Sequence, residues 1–364
     1  MARFTDIFSD ETKRGYKIQT SEYLPAGKYP IIDQGQTQIV GYTNLENGLF
    51  TDVPAIIFGD HTRIIKYIDT PFFLGADGVK VLKVKVTNAD YKYLFYCLQN
   101  IRIPNTGYNR HFKWLKEVNI PFPNLNEQRK IAAVMDKVSG LIAKRRQQLD
   151  KLDELVKSRF LEMFGDPIEN PKHWQEDELS NHLDVIGGYA FKSDGFTDRG
   201  IPVLRIGNIN SGHFLPVNMV FWPEDSALIR YKVFPGDLVM SLTGTVGKDD
   251  YGNICILRTD YDEYYLNQRN AKLSIGVTLN KYYFSELLKF PRIKKHLTGI
   301  SRGVRQANIS NKDILTLHVP IPPIVLQERF AVFVEEADKS KLAIQKSLEN
   351  LEILKKALMQ KYFG

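Results

Sequence analysis

The segment Asn119 to Gly165 aligns without a gap on His318 to Gly364, at a constant offset of 199 residues. Pro121 falls on Pro320, Pro123 on Pro322, Gln128 on Gln327 and Ala132 on Ala331. The leucines keep step as well, Leu149 with Leu348, Leu152 with Leu351 and Leu155 with Leu354, and both copies end on Phe-Gly, at Phe164-Gly165 and Phe363-Gly364. An ungapped match sharing its start and stop signals restricts the chain to two copies of one plan, a variable module followed by a long segment. The length of 364 residues fits this, being too long for one ordinary core.

The long segments read as helices. Pro121 and Pro123 mark an extended approach, and Asn124 followed by Glu127 has the spacing of a capping box. Met135, Ile142, Leu149, Val156 and Met163 then recur every seven residues, flanked by Val138, Leu141, Leu152 and Leu155. In the second copy Ala337, Ile344, Leu351 and Leu358 do the same, flanked by Val334, Leu348 and Leu354. A sustained seven-residue apolar repeat is a coiled-coil seam. Gly165 and the Asp166-Pro167 turn end the first helix, which spans roughly 60 Å at 1.5 Å per residue. A helix this long needs a partner, and short connections favour antiparallel pairing of residues 124–165 with 323–364. The expected division is 1–120, a first module; 121–165, a helix; 166–318, a second module; and 319–364, a second helix.

The modules read as mixed α/β (α+β), richer in strand than in helix. Apolar runs bounded by turn residues predict strands at Pro54 to Phe58, Val79 to Val86, Ile201 to Ile206, Asp237 to Leu242 and Ile254 to Leu257. Helices are predicted at Tyr91 to Gln99 and Lys281 to Leu288. No apolar run approaches membrane-spanning length, and Met1-Ala2-Arg3-Phe4 opens no signal peptide, so a cytoplasmic protein is expected. Cys97 and Cys255 have no metal-type spacing and read as buried free thiols. His61, His111 and His173 lack companions at ligand spacing. Neither module holds a phosphate-cradling loop, nor the tetrapeptide and glycine-rich loop that an adenine methyltransferase needs. No catalytic constellation and no metal site is expected.

The net charge of +7 permits a polyanionic partner, and its distribution says more. Between Asp90 and Glu117 there is no acid, but Lys92, Arg102, Arg110, Lys113 and Lys116 occur. Between Glu286 and Asp313 the same holds, with Lys289, Arg292, Lys294, Lys295, Arg302, Arg305 and Lys312. Each run precedes the same Pro-x-Pro element, which points to a purpose beyond a solvated face.

Ordered motifs in the second module carry a resemblance. Ile186-Gly187-Gly188-Tyr189-Ala190-Phe191-Lys192-Ser193 opens it, and Ile201-Pro202-Val203-Leu204-Arg205-Ile206-Gly207-Asn208-Ile209 follows. Next come Pro235-Gly236-Asp237-Leu238-Val239-Met240-Ser241-Leu242-Thr243-Gly244-Thr245-Val246-Gly247-Lys248, then Leu266-Asn267-Gln268-Arg269, then Gly303-Val304-Arg305-Gln306-Ala307-Asn308-Ile309-Ser310. Taken in order, these resemble the target-recognition domains of type I restriction–modification specificity subunits. In the first module Tyr29-Pro30-Ile31-Ile32 and Ile57-Phe58-Gly59-Asp60-His61-Thr62-Arg63 resemble a different recognition-domain subtype. The resemblance implies two target-recognition domains joined by an antiparallel coiled coil. Each domain would read half of an asymmetric, bipartite target in double-stranded DNA. The helices would serve as spacer and as dock for two modification (methyltransferase) subunits, with restriction and motor subunits joining from outside. The chain itself would be no enzyme and would hold no cofactor. S-adenosylmethionine would belong to the modification subunit, and ATP and Mg to the restriction subunit.

Base edges in the major groove are read best by Arg, Lys, Asn and Gln, with Ser and Thr as adaptable partners. On that chemistry the expected DNA-binding residues of the first module are Gln34, His61, Arg63, Asn105, Tyr108, Arg110 and Lys113. Those of the second are Lys192, Arg205, Asn208, Thr243, Thr245, Lys248, Gln268 and Arg269, with Lys294, Lys295, Arg302, Arg305 and Gln306 nearer phosphates. Two rival classes, a stand-alone nuclease or methyltransferase and a DNA-binding regulator acting alone, differ from this reading in S-adenosylmethionine binding and in copurification of a methyltransferase.

Overall fold

The computed structural model describes residues 1–107, 109–209, 212–248, 250–299 and 306–364, the side chain of Gln306 excepted. The chain forms two compact units, Met1–Gln147 with Ile344–Gly364, and Gln148–Ala343. Each unit combines one module with part of both long helices. Residues 121–165 and 319–364 are each divided between the two units.

Among the described residues the first module has two sheets of three or more strands. Strands β1 (Phe8–Asp10), β2 (Tyr29–Ile32), β3 (Gly41–Thr43), β4 (Ala55–Gly59), β5 (Ile65–Ile68), β6 (Phe73–Leu74) and β7 (Val79–Val84) pair in the orders β1-β7-β4-β5 and β3-β2-β6. Successive side chains of a strand face opposite ways. In β4, Ile56 and Phe58 accordingly join the core with helix α1 (Tyr91–Asn100), while Ala55 and Ile57 face the core with Ile32 and Leu74. Burial on both faces explains the unbroken apolar run there.

Helix α2 covers Leu125–Phe164. Beyond it the second module repeats the plan with β8 (Leu183–Gly187), β9 (Ile201–Leu204), β10 (Val220–Trp222), β11 (Lys232–Val233), β12 (Leu238–Ser241), β13 (Thr243–Thr245), β14 (Ile254–Ile256), β15 (Tyr264–Leu266) and β16 (Asn270–Ile275). Its sheets run β8-β16-β12-β14 and β10-β9-β15-β11. Strand for strand, the first order equals β1-β7-β4-β5. The second equals β3-β2-β6 with β11 added, and in both modules the central pair is parallel, Ile31 on Phe73 and Val203 on Tyr265. The first module, which resembles a different subtype in sequence, is the same topology. Helices α3 (Lys281–Leu288) and α4 (Pro291–Gly299), a strand β17 (Gln306–Asn308) paired with β13, and helix α5 (Ile324–Phe363) complete the chain.

Local signals start and stop the first long helix where the sequence places them. The Asn124 side chain accepts the Glu127 N–H at 3.0 Å, and Gly165 ends α2 at φ +81°. The helices pair antiparallel. In the first unit Ile131 and Met135 share a core with Leu358 and Phe363, and Arg146 reaches Glu352 at 2.7 Å. In the second, Asp153 lies 2.6 Å from Lys341, while Phe160 and Phe164 meet the Phe330 ring. Met135, Ile142, Val156 and Ala337 are buried, whereas Leu149, Ile344, Leu351 and Leu358 are half-buried. Leu141, Leu155 and Leu354, expected beside the seam, are 39%, 50% and 46% exposed instead. The contact is narrower than the heptads imply, because α5 carries Lys341 and Lys355 at the repeat positions of Ile142 and Val156. No helix is long and apolar enough, among the described residues, to cross a membrane.

Candidate nucleic-acid interface

Each module is fixed to its helices by one device, used twice. The Gln128 amide is buried; it accepts the Asp90 N–H at 2.9 Å and donates to the carbonyls of Asn88 and Pro123 at 3.2 and 2.8 Å. The Gln327 amide accepts the Asn280 N–H at 2.8 Å and donates to Thr278 and Pro322 at 3.1 and 2.7 Å. Asp90 and Asn280 are themselves the N-caps of α1 and α3. Tyr93 and Tyr283 then donate to the carbonyls of Pro121 and Pro320 at 2.9 and 2.8 Å, and they pack against Phe363 and Phe164. The identities at Gln128/Gln327 and at the prolines are thus the joints of the scaffold.

On that scaffold the loops between strands converge. In the first module, the residues after β2 touch the β4–β5 turn and the β6–β7 turn. Gln34 accepts the His61 N–H at 3.1 Å and donates to the Asp77 carbonyl at 3.0 Å, and the Thr62 hydroxyl donates to the Gln34 carbonyl at 2.5 Å. Asp60 is buried in the same turn. Its carboxylate accepts the Phe112 N–H at 2.7 Å and its carbonyl the His111 N–H at 2.8 Å, which ties in the basic segment before Glu117. Arg63, at φ +63°, donates to the Ile103 carbonyl at 3.3 Å. The second module joins the equivalent loops. Gln268 N–H donates to the Tyr189 carbonyl and Leu242 N–H to the Arg269 carbonyl, each at 2.8 Å. The Asn270 amide donates to the Leu204 carbonyl at 2.7 Å. Gly188 is required here, since a Cβ would come within 2.2 Å of the Asn267 carbonyl oxygen.

The expected site residues fall into three groups. Asn105, Arg110, Lys113, Lys192, Thr245, Lys248, Gln268, Arg269 and Lys295 are exposed. His61, Arg63, Arg205 and Lys294 are half-buried; the Arg205 guanidinium donates to the Asn218 carbonyl and the Lys294 ammonium to the Asn253 side chain at 2.6 Å. Tyr108, Arg302, Arg305 and the Gln306 side chain lie outside the described residues.

Two expectations need correcting. Asn208 is 2% exposed; its amide donates to the carbonyls of Leu215 and Val217, so it braces its own loop from within. Thr243 is buried and donates to Asn308 at 3.2 Å. Gln34 is half-buried, and its amide already bonds the His61 N–H and the Asp77 carbonyl. A buried polar group satisfies itself internally because an unmade bond is costly, and such a group has nothing left to offer a ligand.

Sequence reasoning missed the residues that position the exposed ones. Lys66, on β5, is buried beneath the loop after β2, and burial pushes its amine below the ordinary value. Asp250 accepts both the Thr245 N–H at 2.8 Å and its hydroxyl at 2.9 Å; the backbone bond holds its carboxyl below the usual range. No signal of spacing marks either. Among the described residues no His, Cys, Asp and Glu group could hold a metal. Cys97 and Cys255 are buried and unpaired, and burial pushes both thiols up to about 12.

Comparison with known proteins agrees with this arrangement. A family profile described as "Type I restriction modification DNA specificity domain" matches residues 2–153 and again 171–354. The chain is 26% identical over 317 residues to the type I restriction enzyme MjaVIII specificity subunit of Methanocaldococcus jannaschii, covering 79% of this chain and 74% of that one. It is 29% identical over 211 residues to the EcoAI specificity subunit of Escherichia coli, covering 54% and 34%. Among solved structures, the S subunit of a type I restriction–modification system from M. genitalium superposes with a TM-score of 0.65 at 18% identity, covering 100% of this chain and 95% of that one. That likeness is one of fold.

Proposed function

Since the chain belongs to the family of type I restriction–modification specificity subunits, non-catalytic targeting subunits that recognise DNA sequence, we propose that its two modules read the two halves of one asymmetric, bipartite target in the major groove. One observation carries this reading. Two modules of the same strand order carry different exposed donors and acceptors, Asn105, Arg110 and Lys113 beyond α1 in one, Lys192, Thr245, Lys248, Gln268 and Arg269 on and between the strands of the other. A shared frame with unlike loops is what two readers of unlike sequences require.

The long helices are the dock for two modification subunits in this reading. Leu155 and Leu354, equivalent in the repeat, are both about half exposed, and equivalent apolar positions suit two copies of one partner. S-adenosylmethionine belongs to the modification subunit, as does base extrusion, and ATP with Mg to the restriction subunit. The test is exchange of residues 166–318 for the second module of another specificity subunit, followed by mapping of methylated adenines in a host that supplies the modification subunit. One half of the methylated sequence should change while the other stays. A target altered in both halves, or in neither, would overturn the assignment of one module to one half.

A further inference from the structure

We propose that the loop at residues 33–38 is a further base-reading element of the first module, with Gln36 and Thr37 as its readers of an adenine-containing base pair and Lys66 as the residue that positions them. The proposal rests on the reading of the modules as DNA readers and adds which side chains read and what they recognise.

The loop leaves β2 and is held from beneath and from both flanks. Lys66 is only 3% exposed; its ammonium sits 3.3 Å from an Asp33 carboxylate oxygen and donates to the Thr37 carbonyl at 2.5 Å. The same Asp33 oxygen accepts the Gly35 N–H at 2.8 Å. On one flank Gln34 is bound to His61, Thr62 and Asp77; on the other, the Gln38 amide donates to the Tyr67 carbonyl at 3.0 Å. Residues 33, 34, 37 and 38 are each fixed by a bond from elsewhere in the module. Gln36 and Thr37, between them, carry exposed side chains.

Taking an ammonium out of water is costly, and an apolar side chain of the same volume would fill that space without the cost. What the charge supplies is geometry. It draws a carboxylate and a carbonyl to one point, so the loop above has one conformation. A loop ordered in advance loses less entropy when it meets a ligand.

The chemistry of the two exposed side chains selects the ligand. A glutamine amide offers one donor and one acceptor side by side, which match the N7 acceptor and N6 donor of adenine in the major groove. A threonine adds a hydroxyl of either polarity, and a methyl that fits the C5-methyl of the paired thymine. The neighbouring acids are spoken for: Asp33 faces Lys66, and Asp77 pairs with Lys17 at 2.7 Å. The loop therefore presents amide and hydroxyl without an uncompensated negative charge toward DNA.

The experiment uses the full chain assembled with its modification subunit, acting on DNA duplexes substituted one position at a time. Gln36→Ala should lower discrimination at a single adenine position by about 10- to 100-fold, the worth of one bidentate contact, and leave the second half-site intact. In the wild-type assembly, 7-deazaadenine at that position, which lacks the N7 acceptor, should weaken recognition. It should have no further effect on Gln36→Ala. Lys66→Met should relax the same position, with an unchanged circular dichroism spectrum and an unchanged salt dependence. Gln36→Ala retaining full discrimination at every position would overturn the proposal, and because Gln36 is exposed this arm does not depend on the buried variant folding. Lys66→Met relaxing both half-sites alike would reduce that residue to general stability. A wild-type assembly with no sequence preference at all would sink the parent reading along with this one.

Discussion

Gln128 and Gln327 are buried, and each bonds three backbone groups of its joint. Replacing either by leucine keeps the volume and strips the bonds. Each orphaned group costs about 1–3 kcal/mol, partly relieved by relaxation, so a loss of about 3 kcal/mol is expected from either change. Hydrogen exchange should report it locally. Gln327→Leu should quicken exchange at the first turn of α3 and leave α1 protected, and Gln128→Leu should do the reverse. Equal effects on both helices would mean that the two joints are not independent. The same arithmetic explains Asn208 and Thr243, whose bonds are spent inside the module.

At the level of elements, the helix pair is held by rings and aliphatic side chains more than by charge. Phe160 is fully buried, 5.4 Å from Tyr283, 4.9 Å from Phe290 and 5.6 Å from Phe330. Truncating such a ring to alanine costs about 3–5 kcal/mol through forfeited transfer energy and the cavity left behind. The Asp153–Lys341 pair is shorter than many, at 2.6 Å, but the Asp153 side chain is 69% exposed. An exposed pair contributes under about 1 kcal/mol. Denaturant unfolding should therefore separate Phe160→Ala from Asp153→Asn by several-fold in destabilisation, and a comparable loss from both would show that the ion pair is better shielded than its exposure implies. Lys341 and Lys355 have a second consequence. They stand where the first helix has Ile142 and Val156, so the two helices, repeats in sequence, are not interchangeable in packing.

For the molecule as a whole, the net charge of +7 predicts salt-sensitive binding to DNA, and the structure says which cations are placed to contribute. Several of the acid-free stretches' cations are engaged with the protein. Lys92 pairs with Asp136, Lys289 with Glu286 and Arg292 with Glu169. Lys248 and Lys295 are exposed on the second module. Replacing both by alanine should weaken binding to specific and nonspecific duplexes alike and flatten the plot of log affinity against log salt by about 2, close to 0.9 for each phosphate left without its cation. An unchanged slope would return both lysines to the solvated surface.

The sequence by itself determined the repeat, the length of both helices, the start and stop of the first, and several strands and short helices of the modules. These follow from signals carried within a few residues: a seven-residue period, an Asn124–Glu127 cap, a glycine at a helix end, an apolar run such as Pro54 to Phe58. It also determined the family, through motifs in fixed order. What only the tertiary structure decided was the topology shared by two modules of unlike sequence, and the fate of each polar side chain. Gln34 turns inward to partners at His61 and Asp77, and Thr243 to Asn308, tens of residues away along the chain. Gln36, next to a residue that sequence chemistry favoured, is the one left exposed, and Lys66, in appearance an ordinary strand lysine, is the one buried. A helix cap is satisfied by its neighbours in sequence. A loop amide is satisfied by whatever the fold brings beside it, and until that is known the sequence does not say whether its bonds are spent within the protein or remain for DNA.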